Sequence, residues 1–304
     1  MPNADDHLFL ALTVDVDPDA NRAVPGRLET ASAGMDEGVR LEACFEGLAL
    51  LLDMLDEAGL PATFFHEART LEELRARQPE LFERLAAAER FEHGCHGYRH
   101  EDFAASGAEE APAGILQRAG AVIEDAFGSP PRAFRAPYCR LTPVLVEALC
   151  SLRYRYDASL TREPSADWGL RPYPLRDPGA APGGGLYELA LCRGRDGAGR
   201  PISGYLWQLF EGNRAVGDYT ALVRSLRAPH PGGLMQVGLH PWHLIVSAEG
   251  RPLPSEGPAA PPALLAELLG RLTQTDGVAF TTAGAYLERA VPCAGGSASA
   301  APRA

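Results

Sequence analysis

The 304-residue sequence contains no lysine; all 28 of its basic residues are arginine. With 32 glycines and 26 prolines beside them, this reads as the mark of GC-rich coding and carries no functional weight. No segment approaches the ~18 consecutive apolar residues of a membrane span, so stable membrane insertion is not expected. The start, Met1-Pro2-Asn3-Ala4-Asp5-Asp6, lacks the basic-then-apolar pattern of a secretory leader, and the expectation is a soluble, cytoplasmic protein. No Cys-x-x-Cys pair occurs among Cys44, Cys95, Cys139, Cys150, Cys192 and Cys293, which argues against a disulfide scaffold and against a thiolate zinc site. Positive charge is also scarce. A net charge of -12 argues against general affinity for nucleic acid or anionic membranes.

What is present is a large apolar fraction, 46% of residues, arranged in short runs that alternate with helical periodicity. Strand-like runs fall at Phe9–Val16, Pro61–His66, Phe91–Cys95, Ala133–Arg135, Arg153–Tyr156, Leu186–Cys192, Leu234–Leu239 and Val278–Phe280. Helical patterns cover 41–58, 71–88, 112–127, 142–150, 205–210, 219–227, 259–272 and 281–289. Such alternation without an internal linker predicts one α/β domain over 8–290, a distorted (β/α) barrel with about seven parallel strands. Residues 18–40 read as a loop long enough to serve an active site, and 161–233 as a longer connecting region. The small-residue tail, 291–304, reads as disordered.

Several runs end in titratable residues, and in parallel α/β folds such ends gather at one face. Asp15 and Asp17 lie two apart, hence on one side of a strand, where two carboxylates need a cation or proton to coexist. The plain alternative is a strand entering an Asp17-Pro18 turn. His96 and His100 are four apart; on a turn of helix their rings share a side and can grip one ion, with Asp17 as a third ligand. A solvated surface turn explains the pair equally well. Arg135, Asp157 and His240 each close a further run, and each alone reads as an ion-pair partner, a helix cap or a rim residue.

In order, these segments read Thr13-Val14-Asp15-Val16-Asp17, His96-Gly97-Tyr98-Arg99-His100, Arg135-Ala136-Pro137-Tyr138 and Leu239-His240. The series resembles that of the polysaccharide deacetylases, the NodB-homology group or carbohydrate esterase family 4, and Ala62-Thr63-Phe64-Phe65 resembles the family's second strand. The resemblance spans roughly residues 8–288. It implies a distorted barrel, and a divalent metal, commonly zinc, held by Asp17, His96 and His100. It further implies Asp15 as general base, Arg135 as the residue that orients and charge-tunes it, His240 as general acid, and the Tyr138 backbone N–H as oxyanion donor. The first motif departs from the family's more common adjacent aspartates and resembles an atypical branch, some members of which hydrolyse cyclic amides. The tryptophan that walls the acyl pocket is not in its usual place; Trp168 and Trp242 are the candidates, and His66, His93 and His243 are competing ligands.

The resemblance implies removal of an N-acetyl or other N-acyl group from an amino sugar, as a small molecule or oligosaccharide. A deformylase of a lipid-linked amino sugar, a cyclic-amide hydrolase and a non-catalytic carbohydrate-binding domain are the alternatives. Arg132, Arg135, Arg140, Arg153, Arg155, Arg162, Arg171 and Arg176 cluster in sequence; solvated loop arginines explain them better than a phosphate grip. The oligomeric state cannot be read from the sequence.

Overall fold

The computed structural model describes residues 7–18, 39–105, 110–165, 168–176, 185–247 and 250–291. The loop expected at 18–40, beyond Pro18 and the first turn of a helix, and the tail from residue 292 lie outside the described residues.

The first half of the chain runs β1 (Leu8–Val16), α1 (Val39–Ala58), β2 (Ala62–His66), α2 (Ala68–Arg77), α3 (Pro79–Ala87), β3 (Phe91–Cys95), α4 (Pro112–Phe127), β4 (Ala133–Phe134), α5 (Pro143–Ser151) and β5 (Tyr156–Asp157). Short strands follow, β6 (Thr161–Arg162), β7 (Tyr173–Pro174), β8 (Tyr187–Glu188), β9 (Leu191–Arg195) and β10 (Pro201–Ser203). The chain then continues through α6 (Trp207–Phe210), α7 (Val216–Arg227), β11 (Leu234–Leu239), α8 (Pro261–Thr273), β12 (Val278–Phe280) and α9 (Ala283–Ala290).

The main sheet has the order β11-β1-β2-β3-β4-β5-β8-β7, all neighbours parallel except β7 and β8. It curls into a half-barrel, as the alternation predicts. β12 also pairs with β1, beside residues 8–10, while β2 pairs with residues 13–16. β6, β9 and β10 form a separate small sheet. The run expected at 186–192 is thus divided, β8 lying between β5 and the edge strand β7 of the main sheet and β9 belonging to the small one.

β1 is buried on both faces, which is why it reads as an almost unbroken apolar run. Leu8, Leu10, Leu12, Val14 and Val16 join the large core under the helices. The alternate residues Phe9, Ala11, Thr13 and Asp15 face inward, so the interior changes from apolar to polar to charged along one strand. At the apolar end, Ala283, Tyr286 and Leu287 of α9 plug the interior against Ala11, Phe65 and Tyr156. The charged end is the carboxyl end of the strands.

One expected helix, 71–88, is two. Pro79 opens α3, and Gln78 before it adopts φ -135° and ψ 60°, since the proline ring disfavours the helical region for its predecessor. Elsewhere the helix signals hold locally: Gly128 ends α4 with φ 77°, and the Thr142 hydroxyl caps α5 by accepting from the Leu145 N–H.

No helix among the described residues is long and apolar enough to cross a membrane.

Candidate active site

Six side chains from four strand ends meet at the charged mouth. Asp15 points inward from β1, and Asp17 follows two residues later, where the strand has ended; both are buried. Arg135 follows β4 and is fully buried. Its guanidinium lies 4.4 Å over the Phe65 ring and spends its donors on four acceptors. These are Asp15 Oδ1 at 2.8 Å, Gln236 Oε1 at 2.7 Å, Thr13 Oγ1 at 3.1 Å and the Ala158 carbonyl at 3.0 Å. Burial pushes the Asp15 carboxyl up, but the Arg135 guanidinium, the imidazoles of His96 and His240 and the Tyr205 hydroxyl together more than cancel this and hold the group at about 2.

His96 and His100 follow β3. The spacing of four suggested a turn of helix; the structure instead forms a loop in which Gly97 has φ 82° and His100 φ 56°. Buried Glu101 fixes it by accepting the Tyr98 and Arg99 backbone N–H groups, each at 2.9 Å. The first N–H groups of α2 donate to the Gly97 and Tyr98 carbonyls. A Cβ at position 97 would lie 2.6 Å from the Glu101 carboxylate, so only glycine fits. Glu101→Ala is expected to lower the unfolding free energy by about 1–3 kcal/mol, read as a shift of the urea midpoint, because the loop loses its acceptors.

The two rings lie 5.2 Å apart and converge on Asp17. His96 Nε2 is 3.5 Å from Asp17 Oδ2 and His100 Nε2 is 3.9 Å from Oδ1. His240, after β11, places its Nε2 3.6 Å from Oδ2. The ligand atoms of Asp17, His96 and His100 all lie within 4.8 Å of one another.

The chemistry of this donor set fits a divalent cation. His96 Nδ1 lies 2.8 Å from the Arg135 carbonyl, which can only accept, so Nδ1 carries the proton and Nε2 presents a lone pair to the Asp17 carboxylate. Burial holds the His96 imidazole toward its neutral form. A lone pair facing a carboxylate calls for a cation between them, and donors bound at 2.0–2.2 Å around one ion sit roughly 3–4 Å apart. The cluster's carboxylates also outnumber its single guanidinium.

The other candidates fall elsewhere. His66 and His93 bond each other at 3.0 Å on the helix-facing side of the sheet, His93 stacked 3.7 Å from the Phe127 ring. His243 pairs with Glu211 at 2.7 Å. Trp168 donates to the Arg171 carbonyl, whereas buried Trp242 stacks 5.3 Å from the His240 ring. Asp157 is bonded to Ser159 beneath the site, and burial raises its carboxyl. Tyr138 takes φ 57° and sets its ring edge-on to His100 at 4.6 Å. The arginines of 132–176 disperse: Arg140 to Asp102, Arg176 to Glu147, Arg171 to the Pro231 carbonyl, and Arg162 over Trp168 and Tyr173.

Sequence reasoning missed Tyr205, whose hydroxyl lies 2.6 Å from Asp15 Oδ2, and the Arg135 partners Thr13 and Gln236. Tyr205 falls at the start of a stretch read as helix, and nothing local marks it. Burial holds the Tyr205 phenol well above its usual range, hence protonated.

A curled parallel sheet with a buried carboxylate and imidazole cluster at its carboxyl mouth defines an α/β half-barrel protein with a polar site. The polysaccharide deacetylase family model matches residues 42–156, covering His96, His100 and Arg135 but not Asp15, Asp17 or His240. The match to that family model is confined to this segment, while the fold extends over nearly the whole chain. The chain shares the fold of a protein from Mycobacterium smegmatis assigned as a polysaccharide deacetylase, at TM-score 0.68 and 23% identity over 95% of this chain and 92% of the other. The PuuE allantoinase aligns at TM-score 0.66 and 16% identity over 96% and 93%. A further assigned polysaccharide deacetylase, from Pseudomonas aeruginosa PAO1, aligns at 0.64 and 18% over 96% of each. No curated protein matches the sequence.

Proposed function

We propose that the protein is a divalent-metal-dependent hydrolase, with zinc as the ion, that removes an N-acetyl or related N-acyl group from an amino sugar. The observation that carries this reading is the convergence of Asp17, His96 and His100 beside an Asp15 carboxylate paired with Arg135. Asp17, His96 and His100 would hold the ion, which when bound supplies Lewis acidity for the acyl carbonyl and acidifies water. Asp15, kept ionised by Arg135, takes the proton of the attacking water. Addition of that water to the acyl carbon turns the carbonyl oxygen into an oxyanion, toward which the Tyr138 N–H donates. His240 protonates the departing amine as the C–N bond breaks. The Asp-Val-Asp first motif resembles that of the family's atypical branch.

The PuuE allantoinase shares the fold, and opening of a cyclic amide would use the same base and acid. Product analysis separates the readings. Purified protein is expected to carry about one divalent ion per chain and to release acetate from N-acetylated sugars, with activity lost on chelation and restored by zinc. Asp17→Ala should lose the metal. Formate release would point to a deformylase, and ring opening of a cyclic amide to the second reading. A metal-loaded protein inert to a broad N-acyl panel would overturn hydrolysis altogether.

A further inference from the structure

The site holds a hydroxyl to which the proposed reaction gives no task. Residues 204–206 run along the outer edge of β11. The Gly238 N–H donates to the Gly204 carbonyl at 3.0 Å, and the Leu206 N–H donates to the Gly238 carbonyl at 2.8 Å. Both glycines permit this approach: a Cβ on Gly204 would lie 2.0 Å from the Gln236 carbonyl oxygen, and one on Gly238 2.9 Å from the Tyr205 ring. From α7, the Tyr219 hydroxyl donates to the Tyr205 carbonyl at 3.1 Å. The backbone is thus held on two sides and the Tyr205 ring is directed into the mouth.

There, the Tyr205 oxygen lies 2.6 Å from Asp15 Oδ2 and 3.2 and 3.3 Å from the two ring nitrogens of His240. A phenol has one proton and two lone pairs. Toward a carboxylate, which only accepts, the proton must go to Asp15. The lone pairs remain for an N–H of His240. Asp15 is therefore gripped at both oxygens, by Arg135 on Oδ1 and by Tyr205 on Oδ2, and the second grip also faces His240.

We infer that Tyr205 is a positioning residue that locks Asp15 and His240 into one relative geometry through a single hydroxyl. The inference rests on the proposed roles of Asp15 as base and His240 as acid. A ring that merely filled space would be replaced by phenylalanine without effect.

Tyr205→Phe removes one oxygen and keeps the ring. In 15N-histidine-labelled protein without metal, this variant is expected to move the ring resonances of His240, identified by their loss in His240→Gln, and to leave those of His66 and His93 in place. Unmoved His240 resonances would overturn the inference whatever the turnover. With zinc bound and acetate release followed, kcat should fall by about 10–100-fold, the cost of a small misplacement of reacting groups, with KM within about twofold. An unchanged kcat would show that the bond does not position the pair. A raised KM at constant kcat would place Tyr205 on the substrate instead, and either result overturns the proposal. If the wild-type protein releases no acyl group from any substrate, the functional reading fails on its own, and the histidine spectra still decide whether Tyr205 holds the two side chains.

Discussion

Arg135→Met is expected to cost about 3–5 kcal/mol of folding stability, measured as the loss of unfolding free energy in urea at neutral pH. The guanidinium is fully buried and ion-paired to a carboxylate that is itself nearly so. Methionine approximates its volume over the Phe65 ring but supplies no donor, leaving the Asp15 charge uncompensated and stripping a partner from Gln236 and the Ala158 carbonyl. An unpaired buried charge is far costlier than the net gain from the intact pair. The double variant Arg135→Met with Asp15→Asn should therefore be more stable than Arg135→Met alone, because no lone charge remains. A single-variant loss below about 1 kcal/mol, the range of an exposed ion pair, would show that the pair is effectively solvated.

Asp15→Asn is expected to reduce kcat for acyl release by about 10²–10⁴-fold, the usual contribution of a positioned general base, while the bound metal stays at the wild-type level. Asparagine keeps the shape of the side chain, and its carbonyl oxygen can still accept from Arg135, but it cannot take a proton from water. Asp15 is not one of the three residues whose ligand atoms converge, so metal content should not follow activity. Asp17→Ala should do the reverse, losing metal and turnover together. Metal analysis beside acetate release distinguishes the two aspartates, and near-wild-type turnover in Asp15→Asn would remove Asp15 from the role of base.

The residues that sequence reasoning could reach are those that end a strand. Asp15, Asp17, His96, Arg135 and His240 are legible because a parallel sheet carries its strand ends to one mouth. His100 was legible by spacing, although the turn that presents it is a left-handed loop held by Glu101 and not helical. Tyr205 was not legible: its contact to Asp15 spans 190 positions, and its placement depends on two glycines meeting across a strand edge. Gln236 lies inside an apolar strand and reads as an interruption of it until the guanidinium it serves is seen. The break between α2 and α3 was written at Pro79, and apolar periodicity running through the proline masked it. The division of residues 186–192 between two sheets follows from long-range pairing that no local pattern encodes.

The half-barrel has two loose ends, β11 on one side and β8 with β7 on the other, which share no backbone ladder among the described residues. Gln236 crosses the gap: its amide nitrogen donates to the Leu189 carbonyl just after β8, while its oxygen accepts from Arg135. Arg135 in turn reaches Asp15 on β1 and the Ala158 carbonyl beyond β5. Backbone bonds from residues 204–206 cover the outer edge of β11, and this side-chain link spans the gap, knotted at the group that sets the charge of Asp15. The same guanidinium that faces the mouth therefore ties together β1, the end of β5 and β11, so the wall and the site share one fastening.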